Sequence, residues 1–236
     1  MKTIEDLPAL FLYYIQNLYA AEKQIMEAMP AIIEKAKHQS LTNALQHHLT
    51  ISKKHISRLN KIFALLNEKK MGITGENEWE TSVKAGVISK GTMGLIEEAT
   101  ELMEHDVDAD VCDAAIIGCV QKIEHYEICT YGTALAYATQ LHLHEAEVLL
   151  RETLDEEYDV DDLLTALATT VLNKEALPEG MEDANPNLTD EENDNASGSI
   201  TRKGSKVSIS ERTVQSPGGR AGTSHRRYPG GESRGH

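Results

Sequence analysis

Hydrophobic residues recur at intervals of three and four positions through most of the first 176 residues. This spacing places them on one face of an α-helix, because a helix turns once in about 3.6 residues. Strand-like alternation does not persist anywhere in this part of the sequence. Residues 69–79, which contain two glycines, are predicted to form a loop. The pattern predicts four long helices and one shorter helix, over residues 4–37, 41–67, 109–140, 145–174 and, for the shorter one, 91–103.

Four long amphipathic helices can bury their apolar faces together when they form two antiparallel hairpins. Residues 41–177 contain no proline. This suits uninterrupted helices, because an interior proline removes a backbone hydrogen bond and clashes with the preceding turn. The predicted fold class is therefore all-α, a four-helix bundle of two helical hairpins plus a short extra helix. We assign this domain to residues 1–176.

The periodic pattern ends after residue 176. Residues 177–236 are rich in Gly, Ser, Asn, Asp and Arg and contain few large apolar side chains. Such a segment cannot bury enough apolar surface to offset the entropy lost when it becomes ordered. We therefore predict a disordered C-terminal tail. Its first part, residues 177–200, contains seven acidic residues and no basic one, whereas residues 201–236 contain eight basic residues and two acidic ones.

The predicted bundle is strongly acidic, with 29 Asp and Glu against 15 Lys and Arg in residues 1–176. A surface of this charge repels nucleic acids and anionic lipids and attracts metal ions. We therefore expect no nucleic-acid binding, apart from a weak contribution of the basic end of the tail. No apolar run approaches the length of a membrane span, so we expect no membrane partner.

The cysteines and the N-terminus bear on the cellular compartment. Cys112, Cys119 and Cys129 fall in one predicted helix, whose rigid spacing keeps them too far apart to pair with one another. Unpaired cysteines are typical of a reducing compartment. The apolar residues 7–15 follow two acidic residues, and no small-residue cleavage site comes after them, which is unlike a signal peptide. We expect a cytoplasmic protein.

Polar residues interrupt the apolar faces at a few specific positions. An isolated buried carboxylate is costly, and it normally shifts its pKa or pairs with a cation. Each glutamate considered alone has a simpler interpretation, as a residue at the edge of the face that reaches solvent. The residues are Glu22 in the first long helix, His48 and His55 in the second, Glu124 and Glu127 in the third, and Glu157 in the fourth.

The positions of these residues along the hairpins predict that they share one level. Glu127 precedes the predicted turn at His142 by fifteen residues, and Glu157 follows it by fifteen. Glu22 precedes the predicted turn at His38 by sixteen residues, which pairs it with a position next to His55. Carboxylates and imidazoles converging from four helices are the arrangement that binds two iron or two manganese ions in ferritin-like bundles. The string EHYE at residues 124–127 is the most specific motif, because its two glutamates share a helix face while His125 points away.

At these residues the sequence resembles the YciE/YciF family of bacterial stress-associated, ferritin-like proteins. The similarity covers about residues 1–174. The resemblance implies a ferritin-like bundle, a homodimer and a dinuclear metal site, but it does not imply a particular reaction. The matching strings are LYAAEKQ at residues 18–24, MGLIEE at 93–98, DAAII at 113–117, QKIEHYEICTYGT at 121–133 and LRETLDEE at 150–157.

The second long helix departs from the family pattern. Relatives usually continue from the helix-two histidine as HLEET, whereas residues 48–52 here are HLTIS, so Thr50 and Ile51 replace two acids. A site without this carboxylate would hold metal less tightly or hold one ion only. His55 can compensate for the loss, and Asp161, one turn after Glu157, is a further candidate ligand. The predicted metal ligands are Glu22, His48, Glu124, Glu127, Glu157 and Asp161.

Two functions remain open at this point. The first is a stress-associated protein with a carboxylate-bridged dinuclear centre of iron or manganese. The second is a non-enzymatic structural or interaction protein of the stress response whose metal site is degenerate. The sequence contains no nucleotide-binding glycine loop, nucleophile elbow or Cys-x-x-Cys zinc motif, and no catalytic residue is predicted. Leu95 and Ile96, on the short helix, supply apolar surface for the expected homodimer.

Overall fold

The apolar pattern does produce helices, and the all-α fold class is confirmed. In the computed structural model, the described residues are 4–69, 87–179 and 181, and they contain helices but no strand. The predicted loop at residues 69–79 and the predicted tail at residues 177–236 lie almost entirely outside the described residues. The helices are α1 (Leu7–Lys35), α2 (Gln39–Glu68), α3 (Lys90–Glu104), α4 (Ala109–Gln140) and α5 (His144–Leu167).

The helix ends differ from the predicted ends by a few residues, because single capping groups decide them. α1 begins at Leu7 rather than at residue 4, since the Asp6 side chain accepts a hydrogen bond from the backbone N–H of Ala9. This bond satisfies one of the free N–H groups of the first turn.

The end of the fourth long helix also differs from the prediction of one helix to residue 174. α5 ends at Leu167, and a π-helical turn (Ala168–Leu172) and a short helix α6 (Asn173–Glu175) follow. The Thr169 hydroxyl donates to the carbonyl of Thr165, and that of Thr170 donates to the carbonyl of Ala166. These hydroxyls compete with the backbone for the carbonyls that a regular helix would use.

The bundle consists of two helical hairpins. α1 packs along α2, and α4 packs along α5, while contacts of α2 with α5 and of α1 with α4 close the four-helix arrangement. α3 lies against α4 and α1. No helix in the described part of the chain is long and apolar enough to cross a membrane.

The core consists of two apolar clusters at different levels of the bundle. Each long helix contributes to both clusters, and polar residues occupy the level where it passes from one to the other. In α1, for example, Leu18 belongs to one cluster, Ile25 belongs to the other, and Glu22 lies between them. In α2, α4 and α5, the change from one cluster to the other falls between Ile51 and Leu59, between Ile123 and Tyr131, and between Leu150 and Val160, respectively.

A buried aspartate of α4 fixes the turn between α1 and α2. Oδ1 of Asp113 accepts a hydrogen bond of 2.8 Å from the backbone N–H of Lys37, and Oδ2 accepts one of 2.6 Å from that of His38. These two N–H groups lie in the turn, where no helix carbonyl is available to them. Asp113 therefore ties one hairpin to the other.

The start of α3 is anchored on α1 and α4. The Ser89 backbone N–H donates to Oε1 of Gln24, and the Ser89 hydroxyl forms a 2.9 Å hydrogen bond with the Tyr126 hydroxyl. The Tyr126 hydroxyl also donates to Oδ1 of Asn17. Gly91 leaves room for the Tyr126 ring, which would have to shift if a Cβ atom stood at position 91, 2.6 Å from the ring.

Candidate metal centre

A layer of ionisable side chains fills the level between the two apolar clusters. All of them are buried, and they come from the four long helices. The structure thus brings together five of the six predicted ligands, together with His55, the residue expected to compensate for the lost acid, on the same inward face of α2. The layer consists of Glu22 from α1, His48 and His55 from α2, Glu124 and Glu127 from α4, and Glu157 from α5.

The first group in this layer is formed by His48, Glu124, Glu127 and Glu157. One potential ligand atom from each residue lies within 4.8 Å of all the others. The carboxylate oxygens of all three glutamates and both ring nitrogens of His48 are buried without a hydrogen-bond partner. Nδ1 of His48 does lie 3.0 Å from Oε1 of Glu124, but the two atoms do not have hydrogen-bonding geometry.

The second group is formed by Glu22, His55 and Glu157, whose ligand atoms also lie within 4.8 Å of one another. Nδ1 of His55 lies 3.0 Å from Oε1 of Glu22 and 3.1 Å from Oε1 of Glu157. Glu157 is therefore common to both groups. Two adjacent sets of donors that share a carboxylate are the geometry that a bridged pair of ions requires.

The other nitrogen of His55 faces away from the layer, towards α5. Nε2 of His55 lies 2.9 Å from Oε2 of Glu156. Arg58 donates to both oxygens of the Glu156 carboxylate, at 2.6 and 3.1 Å, and to Oε1 of Glu152, at 2.7 Å. Glu156 is therefore held between a guanidinium group and the buried imidazole.

A tyrosine fixes the orientation of Glu22. The hydroxyl of Tyr131, which is fully buried, donates a hydrogen bond of 2.6 Å to Oε1 of Glu22. Burial, together with the negative charges of Glu22, Glu127 and Glu157, raises the pKa of this phenol well above its usual value. Tyr131 is therefore a neutral donor to the carboxylate. Oε2 of Glu22 has no hydrogen-bond partner.

Burial, together with the proximity of like charges, raises the pKa values of two carboxyl groups of the layer. Burial and the charges of Glu157, Glu22 and Glu124 raise the pKa of Glu127 well above its usual value. Burial and the charges of Glu124 and Glu22 raise the pKa of Glu157 to about 7, although His55 acts in the opposite direction. These carboxyl groups therefore bind protons more tightly than exposed ones do.

The same negative charges also raise the pKa values of the histidines, whereas burial acts to lower them. Burial by itself lowers the pKa of His48, but the adjacent Glu124 carboxylate outweighs it and raises this pKa to about 9. Burial likewise acts to lower the pKa of His55, whereas Glu157 and Glu22 raise it to about 11. Without a metal ion, the protonated histidines thus balance part of the negative charge of the carboxylates.

The sixth predicted ligand, Asp161, does not join the layer. Oδ1 of Asp161 accepts a hydrogen bond of 3.1 Å from the Gln121 side-chain amide and lies 3.4 Å from Nδ1 of His125. His125 is 60% exposed, in agreement with its predicted outward direction. Four residues along a helix amount to about 400°, so the Asp161 side chain is rotated by about 40° from that of Glu157. Its short side chain then contacts Gln121 at the seam between α4 and α5.

The side chains of Thr50 and Ile51, which replace the two family acids, point in different directions. Thr50 is exposed, and its hydroxyl donates to the carbonyl of Gln46. Ile51 is buried and belongs to the apolar cluster that contains Ile25 and Val160. Only the replacement at position 51 therefore removes an inward-facing carboxylate from α2.

The sequence indicated His55 as a residue that can compensate for the lost acid, but it did not indicate Glu156, Arg58 or Tyr131. The position of His55 was predicted correctly, since it shares the inward face of α2 and the level of Glu22. The contacts of Glu156, Arg58 and Tyr131 depend on which helices are neighbours and on side-chain direction. Apolar periodicity contains no information on either point.

Comparison with known proteins agrees with this architecture. The family model described as "Domain of unknown function (DUF892)" matches residues 6–78 and 80–177. Protein YciF of Escherichia coli (strain K12) is 37% identical over 177 residues, which are 75% of this chain and 96% of YciF.

Solved structures give the same result. The crystal structure of the E. coli stress protein YciF matches with a TM-score of 0.63 and 32% identity, over 72% of this chain and 99% of that chain. YcfI from Rhodopseudomonas palustris matches with a TM-score of 0.60 and 34% identity, over 70% of this chain and 96% of that chain. A protein from Xanthomonas campestris, 17% identical with a TM-score of 0.52, shares the fold.

Proposed function

The chain belongs to the DUF892 family and is similar to the stress protein YciF, and on this premise we propose that it is a stress-associated protein whose buried layer binds a dinuclear centre of iron or manganese. His48, Glu124, Glu127 and Glu157 would hold the first ion, and Glu157 and Glu22 would hold the second.

The state of Glu127 is the observation that carries this proposal. Its side chain is fully buried, and neither oxygen has a hydrogen-bond partner among the described residues. A buried carboxylate in this condition has lost its hydration without any compensation, which costs several kcal/mol. A cation bound between Glu127 and its three neighbours would restore the lost interactions.

The charge and the chemistry of the layer favour two divalent ions. Four carboxylates carry four negative charges when ionised, and two divalent ions balance them when the histidines are neutral ligands. Carboxylate oxygens with a minority of imidazole nitrogens suit iron and manganese better than copper. When bound, such ions supply electrons for the reduction of dioxygen or a peroxide, a chemistry that suits a protein of the stress response.

One observation favours the alternative function, a structural protein with a degenerate site. Ile51 is an apolar residue where relatives have an inward-facing acid, and it packs in the apolar cluster. A bundle that no longer needs metal would tolerate this loss. The two functions differ in one measurable property, since only the first requires that metal stabilises the folded protein.

Thermal melting distinguishes the two functions. The wild-type protein is melted with a chelator, and then anaerobically with ferrous iron or manganese. Binding to the folded state adds about 2.7 kcal/mol when free metal is a hundredfold above its dissociation constant. We expect this gain in the wild type and in the control Glu97→Gln, which changes an exposed glutamate of α3, and a smaller gain in Glu127→Gln, which removes a ligand of the first ion only. A wild-type melting curve that responds to neither metal would favour the structural alternative.

We also infer a homodimer, from the apolar surface that α3 exposes. Leu95 and Ile96 are half-buried and pack against the core of their own chain, so they offer less free surface than predicted. Met93 and Leu102 on the same helix remain partly exposed. Sedimentation equilibrium over a wide range of concentrations tests the dimer, which a monomer mass throughout the range would contradict.

A further inference from the structure

We propose that His55 is the α2 ligand of the second metal ion, in place of the acid absent from position 51, and that Glu156 and Arg58 are positioning residues that orient its ring. This inference rests on the proposed function, because it names the residues that complete the same metal centre. In this proposal, the contacts of α2 with Glu156 on α5 have a role in metal binding, which they would not have if only glutamates held the ions.

The direction of the His55 ring is the first step of the argument. Nδ1 points at the two carboxylates of the second group, 3.0 Å from Oε1 of Glu22 and 3.1 Å from Oε1 of Glu157. A small movement of these three side chains would place one ion between them. The imidazole is fully buried, so no water competes for this nitrogen at the protein surface.

The contact on the other side of the ring is the second step. Nε2 lies 2.9 Å from Oε2 of Glu156. When Nε2–H donates to this carboxylate, Nδ1 carries the free lone pair that a metal ion requires. Histidine ligands commonly donate their second N–H to a carboxylate, which fixes the tautomer and makes the ligand more basic.

Arg58 is the third step, because it holds Glu156 in place. Glu156 is 26% exposed and would otherwise be free to turn towards solvent. The Arg58 guanidinium binds both oxygens of Glu156, and it also contacts Oγ1 of Thr153 at 3.3 Å. A two-point contact of this kind fixes the orientation of a carboxylate as well as its position.

Positions 51 and 55 are one helical turn apart, so they can serve the same layer from slightly different levels. The apolar cluster occupies the space at position 51, whereas His55 lies next to Glu22. Moving the ligand from one position to the other replaces an oxygen donor by a nitrogen donor. Imidazole suits iron better than manganese, so the second position should bind iron in preference to manganese.

The experiment is anaerobic titration with cobalt(II), followed by its visible absorption and by the number of ions bound per chain. Five proteins are compared, namely the wild type, His55→Gln, Glu156→Gln, Glu152→Gln and the double variant His55→Gln/Ile51→Glu. Glu152→Gln is the matched control, because Glu152 also binds Arg58 from α5 but does not contact His55. Thermal melts with chelator verify that each variant is folded.

We expect two ions per wild-type chain and one per His55→Gln chain, with the second ion restored in the double variant. Glu156→Gln should weaken binding of the second ion by about 10- to 100-fold and leave the first unchanged, while Glu152→Gln resembles the wild type. A second ion bound by His55→Gln with wild-type affinity would overturn the role of His55, and equal losses in Glu152→Gln and Glu156→Gln would overturn that of Glu156. Either result leaves the proposed function standing. A wild type that binds no cobalt in the layer overturns both.

Discussion

The Tyr131 hydroxyl donates a hydrogen bond of 2.6 Å to Oε1 of Glu22, and both side chains are fully buried. The phenol comes from α4 and the carboxylate from α1, so the bond joins the two hairpins at the level of the polar layer. Oε1 of Glu22 also lies 3.0 Å from Nδ1 of His55. The tyrosine therefore holds one of the proposed ligands in place before any metal arrives.

Replacing Tyr131 by phenylalanine should destabilise the metal-free protein. The ring remains, but Glu22 loses a donor in a place that water does not reach, and a hydrogen bond to a charged group contributes about 1.5–3 kcal/mol. Urea unfolding in the presence of chelator measures the loss. The control is Tyr13→Phe, since Tyr13 is 51% exposed and loses only a solvated hydroxyl. Equal stability of the two variants would contradict the role of Tyr131.

The Glu127→Gln substitution should stabilise the metal-free protein, and by more as the pH rises. Folding raises the pKa of Glu127 above its ordinary value of 4.5, mainly through burial. Below pH 4.5 the carboxyl group is protonated in both states and costs nothing. Above this pH the unfolded state loses its proton first, so the wild type loses up to about 1.4 kcal/mol per pH unit until the folded carboxyl group also ionises.

Urea unfolding at several pH values, with chelator throughout, measures this effect. The difference in free energy of unfolding between Glu127→Gln and the wild type should be near zero around pH 4 and should increase towards neutral pH. A difference that is independent of pH, or one that shrinks as the pH rises, would show that Glu127 does not titrate with a raised pKa.

The helices could be predicted from the sequence because apolar periodicity decides them, whereas their ends depend on individual side chains. The pattern indicated α1 through Phe11, Leu18 and Ile25, all of which are buried. It could not reveal that Asp6 starts the helix at Leu7, or that Thr169 and Thr170 accompany the π-helical turn. Those features arise from hydrogen bonds between side chains and the backbone, and such bonds do not recur at regular intervals along the sequence.

The site was predictable to the extent that it follows from position along the hairpins. Glu127 and Glu157, equally distant from the turn at His142, do meet in the layer. Asp161 was included because it lies one turn after Glu157, but the rotation of the helix and the neighbouring Gln121 direct it to the seam. The Arg58–Glu156–His55 chain of contacts depends on the packing of α2 against α5, which residue spacing does not determine.

Asp113 should be a large contributor to stability, although it is not a ligand. In Asp113→Ala, the backbone N–H groups of Lys37 and His38, which lie in a part-buried turn, lose their acceptors, at about 0.5–1.5 kcal/mol for each hydrogen bond. Asp113→Asn retains one acceptor oxygen and should lose less. Urea unfolding measures both variants. A ranking in which the asparagine variant is no more stable than the alanine variant would contradict this role of the carboxylate.

The most direct test of the metal centre is to locate the ions in crystals of the protein grown anaerobically with manganese, from the anomalous scattering of manganese. We predict two anomalous peaks inside the bundle on either side of Glu157, one next to Glu127 and His48 and the other next to Glu22 and His55. Crystals of Glu127→Gln grown under the same conditions should lose the first peak. Manganese found only at exposed carboxylates, with no peak in the buried layer, would contradict the account.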